Sequence, residues 1–302
     1  MPIIAVTGSS GLIGRELVRQ LRVKNHQLVE IDIEFNNTHD IANSNFVTES
    51  IQSCEGIIHL AAVSRVAEAQ KYPLRTWASN VSGTYNILDA ALQRKGKTRP
   101  WVIHASSREV YGNQPREPIP EDTPITPLNI YGRSKAAGEA MVYGAQDAGA
   151  NISILRFTNV YGDIYDYSDR VIPAFSRAAV NGTPLRVDDA QTCMDFTHVK
   201  DVSRGVVAVV ELLLNGEKDI PPIHFATGTG TTLGELARMA VAASNDKCEL
   251  NEVAKREASV SCFVGDPRRA QLLLGWTHKT PLQAGFSQMV EAFKKTDVRA
   301  IE

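Results

Sequence analysis

Tyr131 and Lys135 stand four residues apart, a spacing that puts a phenol and an amine on the same face of a helix. A nearby ammonium group stabilises a phenolate, so we expect the pKa of Tyr131 to fall below its ordinary value of about 10. Such a tyrosine can act as a general base near neutral pH. Because the same pair also arises by chance on surface helices, a third group is needed to define a site.

Ser107 is the third group. It follows an apolar run at residues 101–105 that predicts a buried strand. The end of that strand lies at the carboxyl edge of a parallel sheet, where ligands bind in open α/β folds. A hydroxyl there can share a substrate proton with Tyr131. Ser106 is the alternative, because one register step decides which side chain faces the site.

A glycine-rich loop at residues 7–14 lies between an apolar run and apolar residues at helical spacing. This order of strand, loop and helix is the context of a dinucleotide-binding motif. Gly8 permits the tight turn, Gly11 lets the backbone approach a pyrophosphate, and Gly14 lets the helix pack closely. The free N–H groups at the helix N-terminus favour a bound phosphate.

Asp32 ends the next apolar run, eighteen residues after Gly14. A carboxylate there accepts hydrogen bonds from a ribose diol and repels a 2′-phosphate, which favours NAD over NADP. Asp40 and Ile41 follow, where a loop can pass an adenine ring. Residues 60–62, Leu-Ala-Ala, end the third apolar run, and their small side chains let the backbone run close to a cofactor.

Composition limits the class of protein. The chain has 302 residues, 43% of them hydrophobic, 22% charged and with a formal net charge of −2, which is ordinary for a soluble globular protein. The absence of a basic block argues against nucleic acid as a partner, and no apolar run is long enough to span a membrane. No signal peptide is visible at Met1. The four cysteines have no metal-binding spacing, so we expect reduced thiols, no metal site and a cytoplasmic protein. His59 and His104 lie inside apolar runs and are expected to be core residues.

Strand and helix signals alternate through the first half of the chain, which predicts a doubly wound parallel sheet. After Gly162 the pattern changes, and Pro173, Gly182 and Pro184 interrupt it. We therefore predict two interleaved units. Residues 1–165 and 195–222 would form a dinucleotide-binding domain, and residues 166–194 and 223–302 a smaller α/β substrate-binding lobe.

Taken together, the motifs resemble those of the extended short-chain dehydrogenases/reductases, in the nucleotide-sugar epimerase/dehydratase group. They follow in family order along nearly the whole chain: residues 7–14, Asp32, 60–62, 80–84, 106–107, 110–112, 131–135, 156–162, 195–201 and 273–276.

The resemblance implies a Rossmann-type sheet that holds NAD, a nucleotide-sugar substrate under the second lobe, and a homodimer built from the helices that follow Asn80 and Tyr131. The family mechanism implies that Tyr131 takes a proton from a sugar hydroxyl, that Ser107 orients it, and that Lys135 tunes Tyr131 and holds the nicotinamide ribose. The sugar is oxidised transiently to a keto sugar, and in many members the hydride later returns. The expected cofactor-binding residues are Gly8, Gly11, Leu12, Ile13, Gly14, Asp32, Asp40, Ile41, Leu60, Ala61, Ala62, Asn80, Tyr131 and Lys135.

Two departures from the family pattern bear on the substrate. Met194 stands where many members have an arginine that binds a substrate phosphate. Arg177, Arg186, Arg268 and Arg269 are candidate replacements, and Arg177 and Arg268 are the two predicted at the substrate. Asn159 is a further candidate substrate contact.

The second departure is Arg108-Glu109, where 4,6-dehydratases have two acids. In an extended chain Ser107 and Glu109 share a face, so Glu109 is a candidate base for the C5 proton of a 4-keto sugar. Arg108 stays protonated and is suited to bind a carboxylate or phosphate. This favours chemistry beyond inversion at C4, with proton exchange at C5; in the alternative, Glu109 is a structural acceptor and Arg108 points away.

Three functional hypotheses remain open. The first is an NAD-dependent nucleotide-sugar enzyme that epimerises, dehydrates or decarboxylates its substrate through a keto intermediate. The second is a sugar or uronate dehydrogenase or decarboxylase that releases an oxidised product. The third is a non-catalytic dinucleotide-binding regulator on the same fold, against which the set Ser107, Tyr131 and Lys135 argues.

Overall fold

The computed structural model of the protein describes residues 1–94, 98–253 and 260–296. Its strands are β1 Ile3–Thr7, β2 Gln27–Ile31, β3 Gly56–His59, β4 Trp101–Ser107, β5 Ile152–Phe157, β6 Asn159–Tyr161, β7 Leu185–Asp188, β8 Cys193–His198, β9 Ile223–Phe225, β10 Gly230–Thr232, β11 Leu250–Val253 and β12 Cys262–Phe263. Its helices are α1 Leu12–Val23, α2 Ser44–Ser50, α3 Val66–Lys71, α4 Pro73–Trp77, α5 Gly83–Leu92, α6 Ile130–Asp147, α7 Val171–Asn181, α8 Val199–Leu214, α9 Leu233–Ala243, α10 Arg268–Leu274 and α11 Leu282–Lys295.

A six-stranded sheet in the order β2-β1-β3-β4-β5-β9 forms the first unit, and all its pairings are parallel. Strands covered on both faces by helices read as continuous apolar runs, which is why the sequence signals them clearly. On one face α1 and α8 pack through residues such as Leu17, Leu21 and Val206. On the other face α2, α5 and α6 pack through residues such as Val47 and Ile87. The predicted doubly wound sheet is confirmed.

The strand order reverses between β1 and β3, since the chain moves outward to β2 before it returns to β3. A crevice for ligands opens at the carboxyl ends of the strands at such a switch point. Gly8 follows β1 and lies against the backbone after β3, where a Cβ on Gly8 would be 2.7 Å from the nitrogen of Ala61. The sheet therefore places the glycine loop and residues 60–62 side by side.

The second unit contains β8 between β10 and β12, with β6 also paired to β8. A separate pair joins β7 and β11, and α7, α9 and α11 pack together around Phe175, Leu236 and Phe293. The pairings differ from the predicted boundaries at two places. β9 starts at residue 223 but belongs to the large sheet, and β8, most of which was predicted in the first domain, belongs to the small sheet. The short apolar run of β9 could not indicate that β9 pairs with β5, because β5 lies far away in the sequence.

No helix in the described ranges is long and apolar enough to cross a membrane.

Candidate active site

The glycine loop has the shape that a dinucleotide requires. Gly8 has a φ of +70°, a left-handed conformation that favours glycine. A Cβ on Gly14 would be only 2.1 Å from the carbonyl oxygen of Gly8, so α1 packs directly on the loop. Gly11 is exposed at the start of α1 and supplies no side-chain cap. The first N–H groups of the helix, including those of Leu12 and Ile13, are thus available to an anion.

Asp32 lies beside this loop, directly after β2. Its Oδ2 accepts the N–H of Ser10 at 2.9 Å, and its Oδ1 accepts the N–H of Glu34 at 3.0 Å. These two bonds fix the carboxylate at the edge of the glycine loop. The position suits the ribose diol of NAD.

The other expected cofactor residues surround the crevice in different ways. Residues 60–62 are partly exposed after β3, and Asp40 is exposed on the loop before α2. Ile41 is buried and packs against Gly83. A Cβ added to Gly83 would be only 2.5 Å from the Cδ1 atom of Ile41. Asn80 is also buried, and its amide exchanges two hydrogen bonds with the backbone of Val63 and donates a third to Ser134. Asn80 therefore supports the loop after β3 from below, and its amide is turned toward the protein.

Ser107 and Tyr131 meet at the carboxyl edge of the sheet. Ser107 ends β4, and its hydroxyl lies near enough to the Tyr131 phenol to lower the pKa of that phenol. It also accepts the N–H of Glu109 at 3.2 Å. Ser106 points the other way and donates to Glu139. The alternation along β4 thus brings Ser107, and not Ser106, to Tyr131.

Lys135 lies one turn beyond Tyr131 on α6, as predicted, but its Nζ donates to the carbonyl oxygen of Ala105 at 2.9 Å. Burial lowers the pKa of Lys135 to about 8, against the opposing charge of Glu139. The predicted effect on Tyr131 is not seen. Burial raises the pKa of Tyr131 above its ordinary value and outweighs the hydrogen bond from Ser107 and the charge of Arg170. The helical spacing correctly predicted that Tyr131 and Lys135 lie on one face of α6. It could not predict that the ammonium group of Lys135 would donate to a backbone carbonyl of β4.

Arg108 and Glu109 form a buried ion pair, with Arg108 Nη2 2.8 Å from Glu109 Oε1. The chain leaves β4 in a 3-10 turn over Arg108–Val110, so the extended geometry expected to align Ser107 with Glu109 is wrong. Asn129 donates to Glu109 Oε2 at 2.7 Å and caps α6 through the N–H of Gly132. Each oxygen of Glu109 therefore has a partner, Oε1 in the ion pair and Oε2 in the hydrogen bond. The sequence-based alternative that Glu109 is a hydrogen-bond acceptor agrees with this arrangement.

Arg108 also reaches Asn159, the expected substrate contact, with Nη2 3.4 Å from Oδ1. The other two arginines expected at the substrate are not part of this cluster. Arg177 lies over the ring of Phe293 in α11, and Arg268 is exposed and pairs with Asp266. Met194 is paired in the small sheet between Thr231 and Phe263.

A second buried ion pair escaped sequence reasoning. Arg156 of β5 donates to both oxygens of Glu139, from Nε at 2.8 Å and from Nη2 at 2.6 Å. Its Nη1 donates to the carbonyl of Glu121 and to the hydroxyl of Tyr111. The sequence feature that could have indicated this ion pair is an arginine inside the apolar run of β5, where a charged side chain needs a buried partner.

The role of residues 162–170 was also not predicted from the sequence. This segment forms ion pairs with both sides of the crevice. Arg15 of α1 pairs with Asp163 at 3.2 Å, and Arg65, after β3, pairs with Asp169 at 2.9 Å. The segment thus links the helix that starts at the glycine loop with the loop that follows residues 60–62.

His59 and His104 are core residues, as expected. His59 bonds to Thr7 and Thr84, and burial together with the charge of Lys135 lowers the pKa of His59 to about 3. Within the described ranges, no cluster of three or more histidine, cysteine, aspartate or glutamate side chains is arranged to hold a metal ion.

A parallel sheet with a glycine loop at its switch point, and a Ser–Tyr–Lys set at its carboxyl edge, defines a dinucleotide-dependent enzyme of the short-chain dehydrogenase type. The NAD dependent epimerase/dehydratase family model matches residues 4–221, and the chain belongs to that family.

Three similar proteins illustrate the family. The chain is 29% identical over 317 residues to a putative UDP-glucose 4-epimerase from Methanocaldococcus jannaschii, covering 98% of this chain and 99% of that protein. A crystal structure of UDP-glucose 4-epimerase with UDP-glucose, from Thermotoga maritima, is 25% identical with a TM-score of 0.88, covering 97% of this chain and 99% of that chain. A structure of MoeE5 in complex with UDP-glucuronic acid and NAD is 26% identical with a TM-score of 0.86 and the same coverage.

The protein is an NAD-dependent nucleotide-sugar epimerase/dehydratase. Its cofactor is NAD. The residues around the crevice fit this cofactor, because the loop offers free N–H groups for the pyrophosphate and Asp32 offers a carboxylate for the ribose.

The position of Asp32 generates a prediction on cofactor choice. We expect the protein to bind NAD more tightly than NADP, and Asp32→Asn to narrow that preference at least tenfold by removing the charge that repels a 2′-phosphate. Titration of both cofactors by calorimetry measures the ratio. Glu34→Gln, which removes an exposed acid two residues away, is the control and should leave the ratio unchanged. Tighter binding of NADP by the wild-type protein would contradict the role of Asp32.

Proposed function

We propose that this chain is a UDP-sugar 4-epimerase in which Tyr131 and Ser107 act on the C4 hydroxyl. The observation that favours epimerisation over dehydration is the state of Glu109. One of its oxygens accepts a hydrogen bond from Asn129, the other forms an ion pair with Arg108, and Arg108 stays protonated. Neither side chain is then free to protonate a leaving hydroxyl. The UDP-glucose 4-epimerases among the relatives support the same reaction.

The proton at the C4 hydroxyl passes to Tyr131. Ser107 lies beside the phenol and is held in a fixed orientation by the backbone N–H of Glu109, which donates to its hydroxyl. The chemistry that NAD supplies when bound is reversible acceptance of a hydride from the same carbon. Lys135 lies one turn away, and in this proposal it leaves the Ala105 carbonyl to hold the nicotinamide ribose. A cationic lysine so placed would lower the pKa of Tyr131.

Substrate contacts are assigned to Asn159 and Arg108, which lie together beside Ser107. Arg177 and Arg268 stay as proposals for the phosphate end of the substrate. Glu109 is a positioning residue in this proposal. One of its oxygens pairs with Arg108, and the other accepts a hydrogen bond from Asn129, which caps the start of α6.

Tyr131→Phe should reduce turnover by about 10²–10⁴-fold, because it removes the base and keeps the ring. Binding of NAD should be unchanged. Incubation with UDP-sugars, followed by chromatographic separation of the epimers, measures turnover. Mass spectrometry of the products identifies the reaction, because epimerisation keeps the mass while dehydration and decarboxylation lower it. Tyr72→Phe, at an exposed tyrosine, is the matched control. A variant that keeps more than about a tenth of the wild-type rate would refute the role of Tyr131, and net accumulation of NADH would indicate a dehydrogenase.

Turnover in deuterated water tests the sequence-based hypothesis that Glu109 exchanges the C5 proton. Since both oxygens of Glu109 are engaged, we expect product without deuterium at C5, in the wild-type protein and in Glu109→Gln alike. Deuterium at C5 that disappears in Glu109→Gln would show instead that Glu109 is a base, and would restore proton exchange as part of the reaction.

A homodimer is proposed on the exposed faces of α5, which follows Asn80, and of α6, which contains Tyr131. Tyr85 is 56% exposed on α5 and Tyr143 is 44% exposed on α6. Aromatic side chains of this kind favour a protein interface. Tyr85→Glu should then convert the dimer to a monomer in light scattering, because it buries a charge. Tyr165→Glu, at a tyrosine outside these helices, should leave the mass unchanged. A wild-type protein that is monomeric at micromolar concentration would refute the dimer.

We also infer that the protein acts in the cytoplasm. Its four cysteines, at positions 54, 193, 248 and 262, are all free thiols, which suits a reducing compartment.

A further inference from the structure

Arg108 has unused hydrogen-bonding capacity in the middle of the site. Its side chain is only 9% exposed, and Nη1 is enclosed without a hydrogen-bond partner among the described residues. A guanidinium carries five N–H donors. Its contacts to Glu109 and Asn159 both use Nη2. A buried donor without an acceptor costs stability, so a ligand that supplies an acceptor to this guanidinium would be bound favourably.

The guanidinium is held in place from two sides. Glu109 fixes it from below and is itself fixed by Asn129. Phe263, in the second lobe, has its ring centroid 5.9 Å from the guanidinium carbon. This support keeps the group close to the sheet edge, and an added acceptor would meet a preorganised cation.

The covalent structure of a nucleotide sugar indicates which acceptor this is. Arg108 adjoins Ser107, which in the proposed function holds the C4 hydroxyl. The diphosphate is attached at C1, across the pyranose ring from C4, so it extends away from this end of the site. The substituents next to C4 are those on C3 and C5. Of these, only the exocyclic group on C5 becomes an anion in a common sugar class, when it is a carboxylate.

We propose that Arg108 determines specificity by binding the C5 carboxylate of a nucleotide-linked uronic acid. This inference rests on the proposed function, because the C4 position at Ser107 and Tyr131 fixes the orientation of the ring. Glu109 leaves the cation able to bind a second carboxylate, since its contact uses one nitrogen of the guanidinium. A charge-assisted bond of this kind would separate a uronate from the neutral sugar that differs only at C6.

The experiment compares UDP-glucuronate with UDP-glucose as substrates of the NAD-loaded protein. We expect the wild-type protein to favour UDP-glucuronate in kcat/KM by about 100-fold, the effect of a charge-assisted bond. Arg108→Met should reduce the preference for UDP-glucuronate over UDP-glucose by about that factor, with the larger loss of kcat/KM on UDP-glucuronate. Arg108→Lys keeps the charge and should retain part of the preference. Arg22→Met, which removes an exposed arginine paired with Glu30, should alter neither substrate.

Loss of Arg108 leaves Glu109 as a buried charge without its partner, and this can unfold the protein. The double variant Arg108→Met/Glu109→Gln removes that charge and should show the same loss of preference. Equal losses on both substrates in the double variant would overturn the inference, because they would point to a phosphate contact or a structural role. A wild-type preference for UDP-glucose would overturn it as well.

Calorimetric binding separates this inference from the proposed function. Arg108-dependent binding of UDP-glucuronate by a protein that does not epimerise it would support the carboxylate site and refute the 4-epimerase. Epimerisation of UDP-glucose by a protein that binds both sugars equally would support the 4-epimerase and refute the carboxylate site.

Discussion

The buried ion pair between Arg156 and Glu139 joins the three elements on which the site depends. Arg156 lies in β5, Glu139 lies in α6, and Ser106 of β4 donates to the same carboxylate. Burial lowers the pKa of Arg156, but the hydrogen bonds and charge of Glu139 outweigh it, so the pKa lies above its ordinary value. Two charges are costly to bury unless their hydrogen bonds are satisfied, and here they are. The pair therefore fixes α6 against β4 and β5.

That attachment decides which serine enters the site. Since Ser106 is held by Glu139, the alternation of the strand turns Ser107 to the opposite face, and the same attachment of α6 brings Tyr131 to it. The 3-10 turn that follows then brings Arg108 back over the sheet edge toward Asn159. The positions of Ser107, Tyr131 and Arg108 are thus consequences of one interaction behind them, in which none of the three takes part.

The sequence predicted the parts of this protein whose signals are local. The apolar runs of β1 to β5, the glycine loop and the spacing of Tyr131 and Lys135 each depend on neighbouring residues, and each was found where expected. The parts that depend on distant partners were not predicted. The pairing of β9 with β5, the bond from Lys135 to Ala105 and the ion pair of Arg156 all join residues far apart in the chain. For Glu109, an extended backbone was assumed, and the 3-10 turn at the end of β4 changed its direction.

The two buried arginine–glutamate pairs have different roles. Arg156 and Glu139 support the fold, whereas Arg108, paired with Glu109, is the one proposed to bind the substrate. In Arg156, Nε and both Nη atoms have acceptors, and the guanidinium meets two oxygens of Glu139. In Arg108, Nη2 takes both of the contacts to Glu109 and Asn159, and Nη1 has no partner among the described residues. A guanidinium whose three nitrogens all have acceptors stabilises the fold and offers no unpartnered nitrogen to a ligand. A buried nitrogen without an acceptor costs stability in the free protein, and a ligand that supplies the acceptor recovers that cost on binding. The difference between the two arginines is therefore a difference in what each can still bind, and it assigns recognition to Arg108.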